Sequence, residues 1–405
     1  MDTATSLFFT LLRSGLWRTE PILPPSQGAA EARGGTQDTY RSGTSAATGL
    51  TDCDNPGGGI TPPDLEIWKR AYRLATEQTV AGLVTDGAAV CPSGYVPGVV
   101  SLKLMSTRVA TEKRNAAINA MITRVIPLFD EAGIPTVLVK GQAVARCYSR
   151  PEGRMPGDID LMIRPEDYDA AKAVLSGIAD DLESENLDKM HFGAMIGDIE
   201  IELHGTVHTS LGNRINDILD SAQAALFEPG GCRSIDIGGT RVRIPSIDFD
   251  AMFIFVHLLQ HFYCGGLGLR QLCDWAMVLH SHCGEIDRDL LKTRLKEMGI
   301  MSEWQAFLAF IVRYLGLPEQ EAPLYSRRAE AKADKLWKFM EKVGNFGKKR
   351  RRRDHSKDPY LIRKIESFCR NSKDFLNHAT IFPLDSVKFF WMYFTTGTKV
   401  VLRGE

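Results

Sequence analysis

Two short stretches of this chain alternate acidic and apolar residues with a strict period of two, the period of a half-buried β-strand and not of a helix. In Gly157-Asp158-Ile159-Asp160-Leu161-Met162-Ile163, Asp158 and Asp160 project to one side, while Ile159 and Leu161 project to the other. Asp198-Ile199-Glu200-Ile201-Glu202-Leu203-His204 repeats the device, with Glu200, Glu202 and His204 on one side and Ile201 and Leu203 on the other. A chain carrying both must build at least a small sheet with one apolar and one acidic face.

The flanks say what covers that sheet. Ile118, Met121, Ile122, Val125, Leu128, Phe129 and Ala132 recur at three- and four-residue steps, so a helix with one apolar face precedes the first strand. Gly133 and Pro135 close it. The expected order is then a strand at Thr136–Val139, a short helix at Gly141–Tyr148, a strand at Asp158–Ile163 and a helix at Pro165–Ser176. Antiparallel strands at Met190–Met195 and Ile199–His204 turn near Gly197–Asp198. A hairpin about Gly238–Gly239 joins Ser234–Ile237 to Arg241–Ile244. From Ser246 onward the pattern is helical: a first helix, capped by Ser246 or Asp248, runs through Phe262, and later breaks fall at Gly265–Gly266, at Pro318 and around 344–358.

At the other end, residues 5–17 form a short amphipathic helix. Gly, Ser, Thr, Ala and Pro then displace large apolar residues between Pro24 and Pro63, a composition that makes a flexible linker. Helical spacing resumes with Ile67, Ala71 and Leu74. The expected organisation is an N-terminal helix (1–23), a low-complexity linker (24–62), a helical N-terminal region (63–111), an α/β core (112–245) and a C-terminal helical domain (246–405). The fold class is α+β, a small mixed β-sheet core flanked by N-terminal and C-terminal helical regions.

With 405 residues the chain exceeds one ordinary hydrophobic core. Its formal net charge of −1 gives no global pull toward nucleic acid or an anionic membrane. Eight cysteines, none in a CxxC pair, exclude a zinc ribbon and suit a reducing compartment. The start, MDTATSLFFTLLRSGLW, is acidic early and interrupted by Arg13, unlike a signal peptide, and no segment approaches the roughly 20 apolar residues of a membrane span. A cytoplasmic protein without membrane contact is expected.

Asp158 and Asp160 repel each other unless a cation sits between them, which suits Mg2+, a hard ion that takes one or two carboxylates and fills its shell with water and phosphate oxygens. Gly157 lets a phosphate approach the backbone. An isolated pair of this kind also fits a solvent-facing strand edge. If the Ile199–His204 strand lies alongside, one of its acids joins the cluster, completing a two-metal site or accepting a proton.

The run LVKGQAVARCYSRPEGRMPGDIDLMI, followed by IEIELHG, resembles the uncharacterised nucleotidyltransferase family of bacteria, a branch of the DNA polymerase β-like superfamily. Lys140-Gly141, Tyr148, Arg154, Gly157, Asp158, Asp160, Glu202 and His204 match its pattern. The flanking LLRSGLW and GGLGLRQLCDWA resemble it too, so the likeness covers most of the chain outside the linker. The resemblance implies Mg2+-dependent transfer of a nucleotidyl group from an NTP such as ATP to an acceptor, with Asp158 and Asp160 ligating the metals and Glu202 as third carboxylate.

Lys140-Gly141-Gln142 stands where many superfamily members carry Gly-Ser, so that a lysine point charge would serve the β/γ-phosphates. Arg154 is a further phosphate candidate by its planar fork, or else a surface arginine. Arg270 either faces nucleotide or acceptor or pairs with Asp274, four residues on along a helix. His204 orients Glu202, contacts substrate, or is simply a half-buried strand histidine. Glu200 faces solvent or supports the ligands from behind. The acceptor stays open between a sugar, a small metabolite, RNA and a protein side chain.

Three other features are weaker. His257 and His261, four apart on one helix face, lack a metalloprotease base and are expected to pack in the interior instead of holding zinc. The basic run Lys348–Arg353 reads as a solvated loop or an RNA contact. SVKFFWMYFTTG packs against the helices. The rival to an enzyme is a catalytically inactive nucleotide-binding or RNA-interacting protein on the same fold.

Overall fold

In chain order the elements of the computed structural model are α1 (Thr3–Trp17), α2 (Leu65–Glu77), α3 (Ala81–Ala88), α4 (Gly98–Glu131), β1 (Val137–Val139), α5 (Gly141–Ala145), β2 (Ile159–Met162) and α6 (Tyr168–Ser176). They continue with β3 (Asp181–Leu182), β4 (His191–Ile196), β5 (Ile199–His204), α7 (Asn213–Leu226), β6 (Cys232–Ile237) and β7 (Thr240–Pro245). The helices α8 (Ile247–Cys264), α9 (Leu269–Ser281), α10 (Arg288–Met298), α11 (Met301–Phe310) and α12 (Glu330–Val343) follow. The structure describes residues 1–23, 62–183, 185–264, 266–344 and 375–389. Residues 24–61 of the linker expected at 24–62, the basic run at 348–353 and most of SVKFFWMYFTTG lie outside them.

The expected mixed sheet is present, with strand order β1-β2-β5-β4-β3 and the separate β6-β7 hairpin beside it. β2 pairs antiparallel with β1 and parallel with β5, while β4 pairs antiparallel with β5. Pleating sorts the side chains as the alternation demands. Leu138, Ile159, Leu161, Ile199, Ile201 and Leu203 join one apolar cluster with Ile118, Ile122, Val125 and Phe129 of α4 and Leu175 of α6. Each such side chain contributes about 1.5–3 kcal/mol on burial, so this face holds the sheet. The opposite face carries the acids and looks toward α8 and α9.

Two details depart from the sequence expectation. α4 runs unbroken for 34 residues, so the division expected at 111/112 falls inside a helix. α1 is not amphipathic in use: Ala4, Thr5, Leu7, Phe8, Phe9, Leu11, Leu12, Ser14, Gly15 and Leu16 are all buried. It is enclosed because α3 crosses it at two glycines. A Cβ on Gly15 would stand 1.9 Å from the Leu83 carbonyl oxygen, and one on Gly87 1.9 Å from that of Leu11. On another side, Arg13 Nε donates to the Tyr314 carbonyl at 2.8 Å and Trp17 Nε1 to that of Leu315 at 2.6 Å. Among the described residues no helix is long and apolar enough to cross a membrane, and six cysteines are free thiols.

Candidate functional site

The parallel pairing of β2 with β5 sets Asp160 directly beside Glu202 and Ile159 beside Ile201, so acids meet acids on one face. Asp158 stands one residue before β2. A carboxylate oxygen from each of Asp158, Glu200 and Glu202 lies within 4.8 Å of the others. Three hard oxygen donors this close could hold a divalent cation. Glu200, expected at the margin, is a member of this cluster.

Asp160 lines the same cavity as Asp158 and Glu202. It is 2% exposed, accepts from Lys140 Nζ at 2.6 Å, and shares a 2.9 Å contact with His204 Nε2. Its charge is thus already compensated within the chain. Lys140 reaches it from the turn between β1 and α5, where its backbone holds φ 54° and ψ −144°, a region that non-glycine residues rarely adopt. Strain of this kind, of order 1–3 kcal/mol, persists only where the surroundings hold it, often at functional sites.

The electrostatics follow from crowding. The Asp160 charge, then burial, push Asp158 up against the pull of Lys140, and Glu202 adds to the rise. Burial and the charges of Glu202, Glu183 and Asp158 push Glu200 up to about 7. Burial would raise Glu202 too, but hydrogen bonds from His191 and His204 and the Lys140 charge hold it well below the carboxylate range. Burial disfavours the charged His204, yet its bonds to Asp160 and Glu202 outweigh that and raise it. Lys140 is raised in the same way, burial being overcome by Asp160, Asp158 and Glu202.

Arg154 is neither a surface residue nor a free phosphate fork. Only 4% exposed, it gives Nε to Asp274 Oδ1 and Nη2 to Asp274 Oδ2, both at 2.7 Å, and Tyr148 adds its hydroxyl to Oδ1 at 2.7 Å. The Asn115 amide caps the Arg154 carbonyl at 2.8 Å, which ties the strand leading to Asp158 onto α4. The Arg270–Asp274 pair expected along α9 therefore does not form. Arg270 instead turns into the cavity, giving Nη1 to the Pro156 carbonyl at 2.9 Å while its buried Nε has no hydrogen-bond partner. Gly157 lies beneath it, where a Cβ would come within 3.0 Å of Arg270 Nη1.

Gln142 is also displaced from its expected role. It is buried, and its amide donates to Asn115 Oδ1 at 3.1 Å, away from the acids. Gly141 lines the cavity at φ 37°. His257 and His261 touch through their Nε2 atoms at 2.9 Å and line the cavity wall on α8, so they are not plain interior packing.

The cavity measures about 180 Å3, with Lys140, Asp158, Asp160, Glu202 and Arg270 among its lining residues. A second, of about 290 Å3, shares Lys140, Glu202 and His257 and adds His191, His204 and His208. His191 was missed from the sequence, although the Gly197–Asp198 turn could have found it. Counting back from that turn puts His191 opposite His204, which is the observed pairing.

A family model described as "uncharacterised nucleotidyltransferase" matches residues 64–316, more than half of the chain and all of the site. No curated protein and no solved structure matches it.

Proposed function

The chain belongs to the uncharacterised nucleotidyltransferase family, and on that premise we propose that it moves a nucleotidyl group from a nucleoside triphosphate to an acceptor with release of pyrophosphate. The observation that carries the reading is the cluster of Asp158, Glu200 and Glu202, two of which, Asp158 and Glu202, line a cavity that Lys140 and Arg270 also line. The three carboxylates are the residues that would hold Mg2+, an ion that takes oxygen donors and fills its shell with phosphate. Bound there, the ion would supply charge neutralisation on the transferring phosphate.

The chain's own groups do the rest. Arg270 lines the same cavity and would offset part of the triphosphate's charge, with Lys140, paired to Asp160, adding a longer-range positive field. Gly157 keeps the floor open, since any larger residue would press on Arg270. His204 holds Glu202 and Asp160 in place through one nitrogen. Tyr148, Asp274 and Arg154 fix the loop that delivers Asp158. The acceptor is a sugar, a metabolite, RNA or a protein side chain.

One observation favours a second reading, a nucleotide-binding protein without transfer: Asp160 is already satisfied by Lys140 and His204. Incubating the full chain and a cell lysate with each labelled NTP and Mg2+ separates the two. The transferase releases pyrophosphate and labels one of the metabolite, RNA or protein fractions, whereas the binder retains label without release. Asp158→Ala should slow transfer by roughly a hundredfold or more. Undiminished transfer by the folded Asp158→Ala/Glu202→Gln double variant would refute the site.

A further inference from the structure

Two imidazoles stand beside Glu202. His191 Nε2 lies 3.2 Å and His204 Nε2 3.3 Å from the same atom, Glu202 Oε2, and one ligating atom from each residue lies within 4.8 Å of the others. We infer that His191, Glu202 and His204 form a second site, sharing Glu202 with the oxygen cluster, for a borderline transition-metal ion of the Zn2+ type. The inference does not depend on nucleotidyl transfer.

The distances support it. Charge-assisted N–H···O bonds run about 2.7–2.9 Å, and the His204–Asp160 contact at 2.9 Å falls in that range. Both imidazole contacts to Glu202 Oε2 are longer. Ligands about 2.0–2.1 Å from a tetrahedral ion stand roughly 3.3–3.4 Å apart, close to the observed values. The donor set fits as well, since two imidazoles and one carboxylate suit zinc, whereas Mg2+ prefers oxygen alone. The two groups that share Glu202 therefore differ in donor chemistry: oxygens from Asp158 and Glu200, nitrogens from His191 and His204.

The scaffold is rigid where this needs it to be. β4–β5 pairing sets His191 across from His204, with ring centroids 4.8 Å apart, and the side chains keep 31% and 17% exposure. The three ligands also border the cavity of about 290 Å3, which leaves a fourth coordination position open to water or a ligand. Binding would displace the proton from His204 Nε2, and Lys140 would remain as the partner of Asp160.

The test is a Co2+ titration of the chelator-treated full chain in excess Mg2+, read by visible absorption and calorimetry. The expected result is one equivalent of Co2+ with the strong visible bands of a low-coordinate, imidazole-ligated ion, displaced by Zn2+. His191→Ala should weaken binding roughly tenfold or more and abolish the bands. His191→Cys should restore binding with a thiolate charge-transfer band, and it replaces the alanine variant should that one fail to fold. Glu200→Gln, confined to the oxygen cluster, should leave the bands unchanged. The inference is overturned by a wild-type chain that retains no Co2+ against Mg2+, by a folded His191 variant with wild-type affinity and spectrum, or by Glu200→Gln erasing the bands as fully as His191→Ala.

Discussion

Replacing Asp274 by alanine tests whether Arg154 holds the site together or binds phosphate. Asp274 accepts three 2.7 Å hydrogen bonds, two from Arg154 and one from Tyr148, all in the interior. Burial works against the Arg154 charge, and the Asp274 carboxylate more than offsets it. Removing that carboxylate leaves a guanidinium only 4% exposed without its hydrogen-bonded counter-charge. Breaking a buried pair from one side costs about 3–5 kcal/mol, two to nearly four decades in the folding equilibrium. Urea unfolding should show a lower midpoint at an unchanged slope.

Arg154→Met removes the other half. The double variant should cost at least about 1 kcal/mol less than the sum of the singles, because each single strands the partner that the double removes. Strict additivity would refute the pairing. So would an Arg154→Met chain that keeps wild-type stability but loses nucleotide affinity, the behaviour of a phosphate ligand.

Two further outcomes check the scaffold. Gly87→Ala places a methyl 1.9 Å from the Leu11 carbonyl and must push α1 from α3, at a cost of about 1–3 kcal/mol; a thermal midpoint equal to wild type would sink that account of the crossing. Burial, reinforced by the Asp385 charge, raises Glu303 from 4.5 to about 8. Between those values the unfolded chain releases a proton that the folded chain keeps, so stability falls as pH rises, by about 3 kcal/mol at pH 7. Glu303→Gln should therefore raise the thermal midpoint at pH 8 well beyond its effect at pH 5, and an equal effect at both would exclude an ionisation cost.

What could be read in the sequence was what local periodicity controls. Period two in Ile159–Met162 and Ile199–His204 places apolar and acidic residues on opposite faces whatever lies next to them. The partner of Arg154 could not be read. Asp274 is 120 residues away, and the helix-spacing rule offers Arg270 as its nearer mate. A surface pair of that kind yields only a few tenths of a kcal/mol, while a buried guanidinium needs full compensation, so Arg154 takes Asp274 and Arg270 turns to the cavity. Gln142 failed for a similar reason. A motif position suggested phosphate, but a buried amide must find partners, and Asn115 supplies one. The Lys140–Asp160 pair depends on an unusual backbone angle that residue type alone does not announce.

The chain handles two sets of buried charges in opposite ways. Around Asp274 every ionic group has a partner at bonding distance, as a structural network requires. A few residues further along, Asp158, Glu200 and Glu202 crowd together, and the cations opposite them do not close the account: Lys140 is committed to Asp160, and Arg270 leaves its Nε unpaired. Such an arrangement raises Asp158 and Glu200 and costs stability in the bare chain. The apolar face of the same strands can bear that cost, because Ile159, Leu161, Ile201 and Leu203 are buried independently of it. Neutralising one acid should therefore leave the fold intact or firmer, so a loss of activity in Asp158→Ala would report on chemistry and not on collapse.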